Sequence, residues 1–240
     1  MKFAAEFDRY PGIWRGSELA RTACPSIATG FAALDAALPG GGWPRAALTE
    51  ILPQHEGIGE LRILGPALAQ LAAQGKFIAW IAPPYLPYAP ALAAAGIDLA
   101  RVVIVKTSKE GDSLWAAEQA LRSAACGGVL AWPREIRFPQ LRRLQLAAEG
   151  SPCLAVLFRP TQTAREPSPA VLRIALATSA GGLALSILKR RGAPLSRPIL
   201  LPALSAAGSN PPLGFDAHAV DSPTFAAVAA GSVSARLALA

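Results

Sequence analysis

Five short runs rich in Val, Ile and Leu, each separated from the next by a helix-length stretch, constrain the fold of this chain more than any other feature. The runs are Ala47–Leu52, Lys76–Ile81, Arg101–Lys106, Gly128–Trp132 and Cys153–Phe158. They are short and almost continuously apolar, which predicts strands covered on both faces. Between them Glu60–Gln74, Leu86–Ala95, Asp112–Ala125 and Pro139–Glu149 predict helices, with Gly75, Gly96 and Gly150 placed as C-terminal glycines. Strand and helix alternating in this way predict right-handed crossovers, hence an α/β fold with a central, mainly parallel sheet flanked by helices. A hydrophobic content of 52% over 240 residues is enough to build its core and excludes a disordered or collagen-like chain.

After Phe158 the pattern changes. Arg159 to Pro169 is a proline-rich loop, and Val171–Ala177 and Leu183–Lys189 flank a Gly181-Gly182 turn. That spacing predicts a hairpin, so antiparallel strands should close the C-terminal edge of the sheet. The expected organisation is an N-terminal helix and linker over 1–25, a core domain over 26–202 and a flexible tail over 203–240. Trp14 lies on the terminal helix, which is too short to be stable unaided. It reads as an anchor, either folded back on its own core or packed on a neighbouring subunit of a homo-oligomer.

A mean hydropathy of +0.34 raises the question of a membrane. Alanine accounts for much of it, and no stretch approaches the roughly 20 apolar residues of a spanning helix. The first residues lack the apolar centre of a secretory signal, so the expected location is cytoplasmic. Cys24, Cys126 and Cys153 are isolated from one another, and the histidines are only His55 and His218. No metal site or disulfide framework follows, and Cys126 and Cys153 read as small core residues. Trp43, Trp80, Trp115 and Trp132 read as core or strand ends.

The segment Thr29-Gly30, Leu34-Asp35, Leu38 and Gly40-Gly41-Gly42-Trp43-Pro44, leading into a strand and then Gly57-Ile-Gly59-Glu60-Leu61, resembles the entry to the RecA-like ATPase superfamily. The resemblance covers about residues 26 to 190 and implies a RecA-like core. A working phosphate loop needs GxxxxGK[ST], in which backbone N–H groups cradle phosphates, the lysine neutralises them and the hydroxyl holds Mg²⁺. Here Glu60 and Leu61 stand at the lysine and hydroxyl positions. No carboxylate ends Gly128–Trp132, and Pro83-Pro84 replaces the acidic residue usual after the second strand. Gly57, Gly59, Glu60 and Leu61 thus form a degenerate loop, and neither a cofactor nor catalysis is expected.

Trp14-Arg15-Gly16, Ile27 to Asp35, Leu38 to Pro44, Thr49 to Leu52 and the altered loop together are similar to the ImuA family, itself similar to the SulA cell-division inhibitors. The resemblance implies a non-enzymatic role in SOS-induced, mutagenic translesion DNA synthesis. Its implied partners are an ImuB-like Y-family polymerase homologue, a DnaE2-type error-prone polymerase and RecA. A SulA-like inhibitor acting on FtsZ is the alternative, and a weak DNA-dependent ATPase a further one.

The net charge of +7 is unevenly placed. Residues 134 to 197 hold 11 Lys and Arg against 3 Asp and Glu, while residues 1 to 133 are balanced. Arg134, Arg137, Arg142, Arg143, Arg159, Arg165, Lys189, Arg190 and Arg191 are the candidate contacts. In RecA-like recombinases the loops after the fourth and fifth strands face single-stranded DNA, so the resemblance adds that ligand to the expectation. An acidic protein surface, or a merely solvated face, remains open; Arg142 and Arg143 point about 100° apart on a helix, and few aromatics accompany the block.

Overall fold

The computed structural model describes residues 25–107 and 109–202, with only the backbone of Glu110. The expected terminal helix with Trp14 and the tail over 203–240 lie outside the described residues. A two-stranded antiparallel ribbon, β1 (Ser26–Ile27) with β2 (Trp43–Pro44), encloses the short helix α1 (Ala32–Ala37). The main sheet follows with β3 (Ala47–Pro53), β4 (Phe77–Ile81), β5 (Val102–Val105), β6 (Cys126–Ala131), β7 (Leu154–Phe158), β8 (Leu172–Ser179), β9 (Gly182–Lys189) and β10 (Ile199–Pro202). Its strands lie in the order β10-β9-β8-β3-β7-β6-β4-β5. Strands β3 to β8 are mutually parallel, and β9 and β10 run antiparallel.

The near-continuous apolar strands are explained by covering on both faces. Ile78, Trp80, Leu154, Val156 and Phe158 enter one core with Leu68 and Leu71 of α2 (Gly65–Ala73) and Leu34 of α1. Their alternate neighbours Ala79, Ile81, Ala155 and Leu157 enter the other. That second core is completed by Ala117 and Leu121 of α4 (Glu110–Arg122) and Leu141 and Leu144 of α5 (Phe138–Glu149). The period of two therefore supplies two cores from one strand.

Several details differ from the sequence expectation. The first predicted helix begins only at Gly65, because residues 59–64 form turns in which Arg62 and Leu64 donate N–H groups to Gly59 and Leu61. The second shortens to α3 (Ala89–Ala94), started by a proline and burying no residue. Strand β5 is an edge strand, so Val103 and Ile104 remain 44% and 38% exposed rather than covered. The hairpin forms, but its first strand β8 joins β3 in parallel, so only β9 and β10 reverse the direction. Cys153 is buried as expected, whereas Cys126 is half-buried. Trp115 is not core: it stands 62% exposed on α4. Gly75 and Gly96 adopt the left-handed conformation expected after a helix, but Gly150 does not, with φ −79°.

Candidate functional site

The glycine-rich entry motif folds as a cap on the sheet. Thr29 is fully buried; its N–H donates to Asp35 Oδ1 at 2.8 Å, and its hydroxyl accepts from the Phe31 N–H at 3.0 Å. Ser26 Oγ donates to the Gly40 carbonyl at 2.6 Å. Gly42 is required for a steric reason, since a Cβ there would collide with the Ile27 carbonyl. Leu34, Leu38 and Trp43 then drop into the core.

The chain next runs through β3 into the glycine-containing loop at residues 54–61. Gly57 and Gly59 take φ values of +80° and +103°, which point their N–H groups inward. Both are answered from within the loop. Glu60 Oε1 accepts from the Gly57 N–H at 3.0 Å and Oε2 from the Gly59 N–H at 3.1 Å, with Glu60 only 8% exposed. The backbone nest that would attract an anion already holds a carboxylate. Arg62 closes the loop from the far side by donating to the Pro202 carbonyl. Among the described residues no group of three or more His, Cys, Asp or Glu stands together to hold a metal ion.

Beside this loop, at the carboxyl ends of β3 to β7, lies an open cleft of about 1100 Å³. Ligands of open α/β sheets bind at this end, where the crossovers diverge. Its rim is set by prolines: Pro53 ends β3, Pro83 and Pro84 follow β4, Pro133 follows β6 and Pro160 follows β7. Trp132 lines the floor, stacked on Phe158 at 4.6 Å with an interplanar angle of 9° and on Trp80 at 5.5 Å. Tyr85 projects from the rim, 72% exposed. Lys106 and Lys109 from the β5–α4 loop and Arg134 from the β6–α5 loop supply positive charge, while Glu56 and Glu135 are the exposed carboxylates.

The structure divides the basic block of the sequence. Arg134, Arg137 and Arg165 are exposed and follow β6 and β7, at the carboxyl end of the parallel strands. Arg190 and Arg191 follow β9, whose last residue pairs with the start of β8, and line a small pocket of about 160 Å³ with Arg45 at the opposite end. Arg190 donates to the Ala37 and Ala193 carbonyls. Lys189 donates to the Ser168 carbonyl at 2.8 Å, and its ammonium is pushed below the ordinary lysine value by partial burial and the nearby Arg173. On α5, Arg142 is exposed, while Arg143 meets Glu118 of α4 at 2.6 Å.

Arg159 lines the open cleft, but its guanidinium is turned inward rather than presented to solvent. It is 4% exposed, and its guanidinium meets Glu50 at 3.3 Å and Glu166 at 2.7 Å. Glu50, fully buried at the centre of β3, also accepts from Ser168 Oγ at 2.8 Å and from Arg173 Nε at 2.6 Å. Arg173 donates onward to the carbonyls of Thr163, Ala164 and Glu166. The network clamps the turn at residues 161–165 to the sheet, so this loop enters the site already ordered. Sequence reasoning missed Glu50, Lys106, Lys109 and Tyr85. The β3 sequence Leu48-Thr-Glu-Ile did hold one signal, an acid inside an apolar run, which must be paired to be buried.

Residues 48–154 match the family model described as "Cell division inhibitor SulA". A "Cell division inhibitor SulA" of Edwardsiella piscicida is 30% identical over 100 residues, covering 42% of this chain and 60% of that protein. "Protein ImuA" of Caulobacter vibrioides (strain NA1000 / CB15N) is 32% identical over 137 residues, covering 54% of this chain and 55% of that protein. The crystal structure of SulA from Pseudomonas aeruginosa aligns at 22% identity with a TM-score of 0.40, over 49% of this chain and 99% of that one. The matched regions thus span less than two thirds of the two curated relatives' lengths. The two sequence matches make the ImuA and SulA proteins homologues of this chain over about half of its length.

Proposed function

We propose that this chain is a non-catalytic adaptor with a RecA-like core, acting in SOS-induced mutagenic translesion synthesis by holding protein partners together. The observation that carries the non-catalytic part is Glu60, whose carboxylate fills the N–H nest of the loop where a triphosphate would have to sit. A second anion brought there would meet like charge with no lysine to offset it. The pathway rests on the likeness to "Protein ImuA" and on the motifs from Ile27 to Leu61. An ImuB-like polymerase homologue and a DnaE2-type polymerase are the expected partners, with RecA a further one.

The test is capture of purified ImuB-like protein and, separately, FtsZ on the immobilised full chain. Retention of the ImuB-like protein with no FtsZ is the expected result. The reverse would replace this reading with a division inhibitor, which the match of residues 48–154 to the SulA family favours. Phosphate release should stay at background with Mg²⁺, ATP and single-stranded DNA, and ATP should not move the melting temperature. Release above background would return the weak ATPase to consideration.

A further inference from the structure

We infer that the small pocket at the amino ends of β3 and β8 binds the carboxyl-terminal residue of a partner protein, with an aliphatic side chain in the pocket and the terminal carboxylate on Arg45 and Arg190. The proposal goes beyond the adaptor reading and is tested without any of the partners named there.

The pocket forms where separate parts of the chain meet: Ala47 opens β3, Leu172 opens β8, and Arg190 follows β9. Its walls are apolar, with Leu38, Val171 and Leu172 beside Pro25 and Pro44, whose nitrogens carry no hydrogen. At about 160 Å³ it has the volume of about five water molecules. That is below the range of about 300–1,000 Å³ of small-molecule sites. One aliphatic side chain fits, and a nucleotide does not.

Recognition of charge falls to the arginines. Arg45 Nε donates to the Pro152 carbonyl at 2.6 Å, and Arg190 donates to the carbonyls of Ala193 and Ala37. These bonds fix both guanidinium groups while taking one donor of Arg45 and two of Arg190, out of five on each. Carbonyls hold the groups in place without neutralising them. Arg143, Arg159 and Arg173 each meet a glutamate, whereas Arg45 and Arg190 have no carboxylate partner among the described residues. No described Asp or Glu lines the pocket either. Next to Arg45, Ala46 holds φ +56°, in the left-handed region that a residue with a Cβ seldom occupies. The Arg45 N–H on the Pro25 carbonyl at 2.8 Å and the Ala46 N–H on the Cys153 carbonyl at 3.2 Å keep this turn, and with it Arg45, in place.

The small volume requires the apolar group and the negative charge to lie within one residue. A guanidinium fork takes a carboxylate through two parallel bonds, which selects this anion over a point charge. A free aliphatic amino acid carries both groups but brings its ammonium beside two guanidinium groups, which repel it. At the end of a polypeptide that nitrogen is a neutral amide. The terminal residue of a protein therefore presents the side chain and the carboxylate with no opposing charge.

The test is saturation-transfer difference NMR of the full chain, titrated with acetyl-Gly-Ser-Gly-Ser-Leu bearing a free carboxylate. The same peptide with an amidated end, an amidated acetyl-Gly-Ser-Leu-Glu-Ser peptide and N-acetyl-leucine are the comparisons. Arg45→Gln and Arg190→Gln remove charge but keep a donor for the carbonyls, Val171→Phe fills the pocket, and Arg142→Gln is a control on α5 outside it. Circular dichroism verifies folding, and the peptide comparisons on the wild type stand if a variant fails to fold. Saturation of the leucine methyls by the wild type is expected. Amidation and either pocket arginine variant should each weaken binding about tenfold, Val171→Phe should abolish the methyl signal, and Arg142→Gln should bind as the wild type. No transfer to the free-acid peptide, equal binding of its amide, or unchanged binding by folded Arg45→Gln and Arg190→Gln would overturn the proposal. Equally tight binding of the internal Leu-Glu peptide would replace it with an internal acidic segment, and binding of N-acetyl-leucine without the peptide would replace it with a small carboxylic acid.

Discussion

Arg173 on β8 reaches Glu50 on β3 through Nε at 2.6 Å, with both side chains removed from water inside an otherwise apolar sheet. The pair is shared: Arg159 and Ser168 satisfy the other carboxylate oxygen, and the rest of the Arg173 guanidinium holds three carbonyls of the loop after β7. Removing Arg173 takes away the nearer of the two guanidinium groups on Glu50 and leaves the buried carboxylate only the longer contact with Arg159, which costs up to about 3–5 kcal/mol. Arg173→Ala should therefore lower stability by that order in chemical denaturation. It should also make the segment 161–166 a new site of limited proteolysis. A variant that keeps both wild-type stability and protease resistance would show that the network is dispensable.

Glu60 predicts a second, separable effect. Glu60→Ala leaves the N–H groups of Gly57 and Gly59 without their acceptor, a loss of about 1–3 kcal/mol. Glu60→Gln keeps one acceptor oxygen and should fall between the two in melting temperature. Neither change should create ATP hydrolysis, because Leu61 supplies no hydroxyl for Mg²⁺ and no lysine is added.

The tryptophans separate by environment. Trp80 is 1% exposed and stacked on Trp132, so Trp80→Ala should cost about 3–5 kcal/mol. Trp115→Ala, on the exposed side of α4, should change stability by no more than about 0.5 kcal/mol. Equilibrium urea denaturation of the two variants is the measurement; a large loss at Trp115 would place it in a contact that the fold does not show.

Burial pushes the Cys153 thiol up from 9.0 to about 12, with the neighbouring Cys126 adding to it and Arg45 opposing. The folded state therefore keeps a proton that the unfolded chain gives up above about pH 9. Stability contributed by the neutral buried thiol is present below that pH and is lost between roughly pH 9 and 12, at about 1.4 kcal/mol per unit. Cys153→Ala should flatten the alkaline limb of a stability–pH curve. In the native protein, alkylation of Cys153 at pH 8.5 should be far slower than in urea.

The strands were legible because of how they are buried. Ile78 and Trp80 face one core while Ala79 and Ile81 face the other, so the apolar run is continuous and its length marks the strand. Strand β10, with Leu201 alone buried and Leu200 exposed, has no such run and left no signal. Helix α3 was overestimated for the opposite reason, since alanine is a helix former whether or not a helix has anything to pack against. Trp115 misled because residue type indicates a tendency to be buried, not the side of a helix on which it falls.

Local chemistry, by itself, determined the alternation of strands and helices, the hairpin, the glycine turn that Glu60 and Leu61 follow and the excess of charge after residue 133. Each depends on neighbours a few positions apart. Which charges share a surface depends on the order of strands in the sheet, and only the tertiary structure decided that. It drew Arg159 inward to Glu50, sent Arg190 and Arg191 to the end of the sheet opposite Arg134, and brought Lys106 and Lys109, from a stretch of zero net charge, to the cleft that Arg134 lines. A sum of charges along a chain carries no direction in space; the crossovers of a parallel sheet supply it.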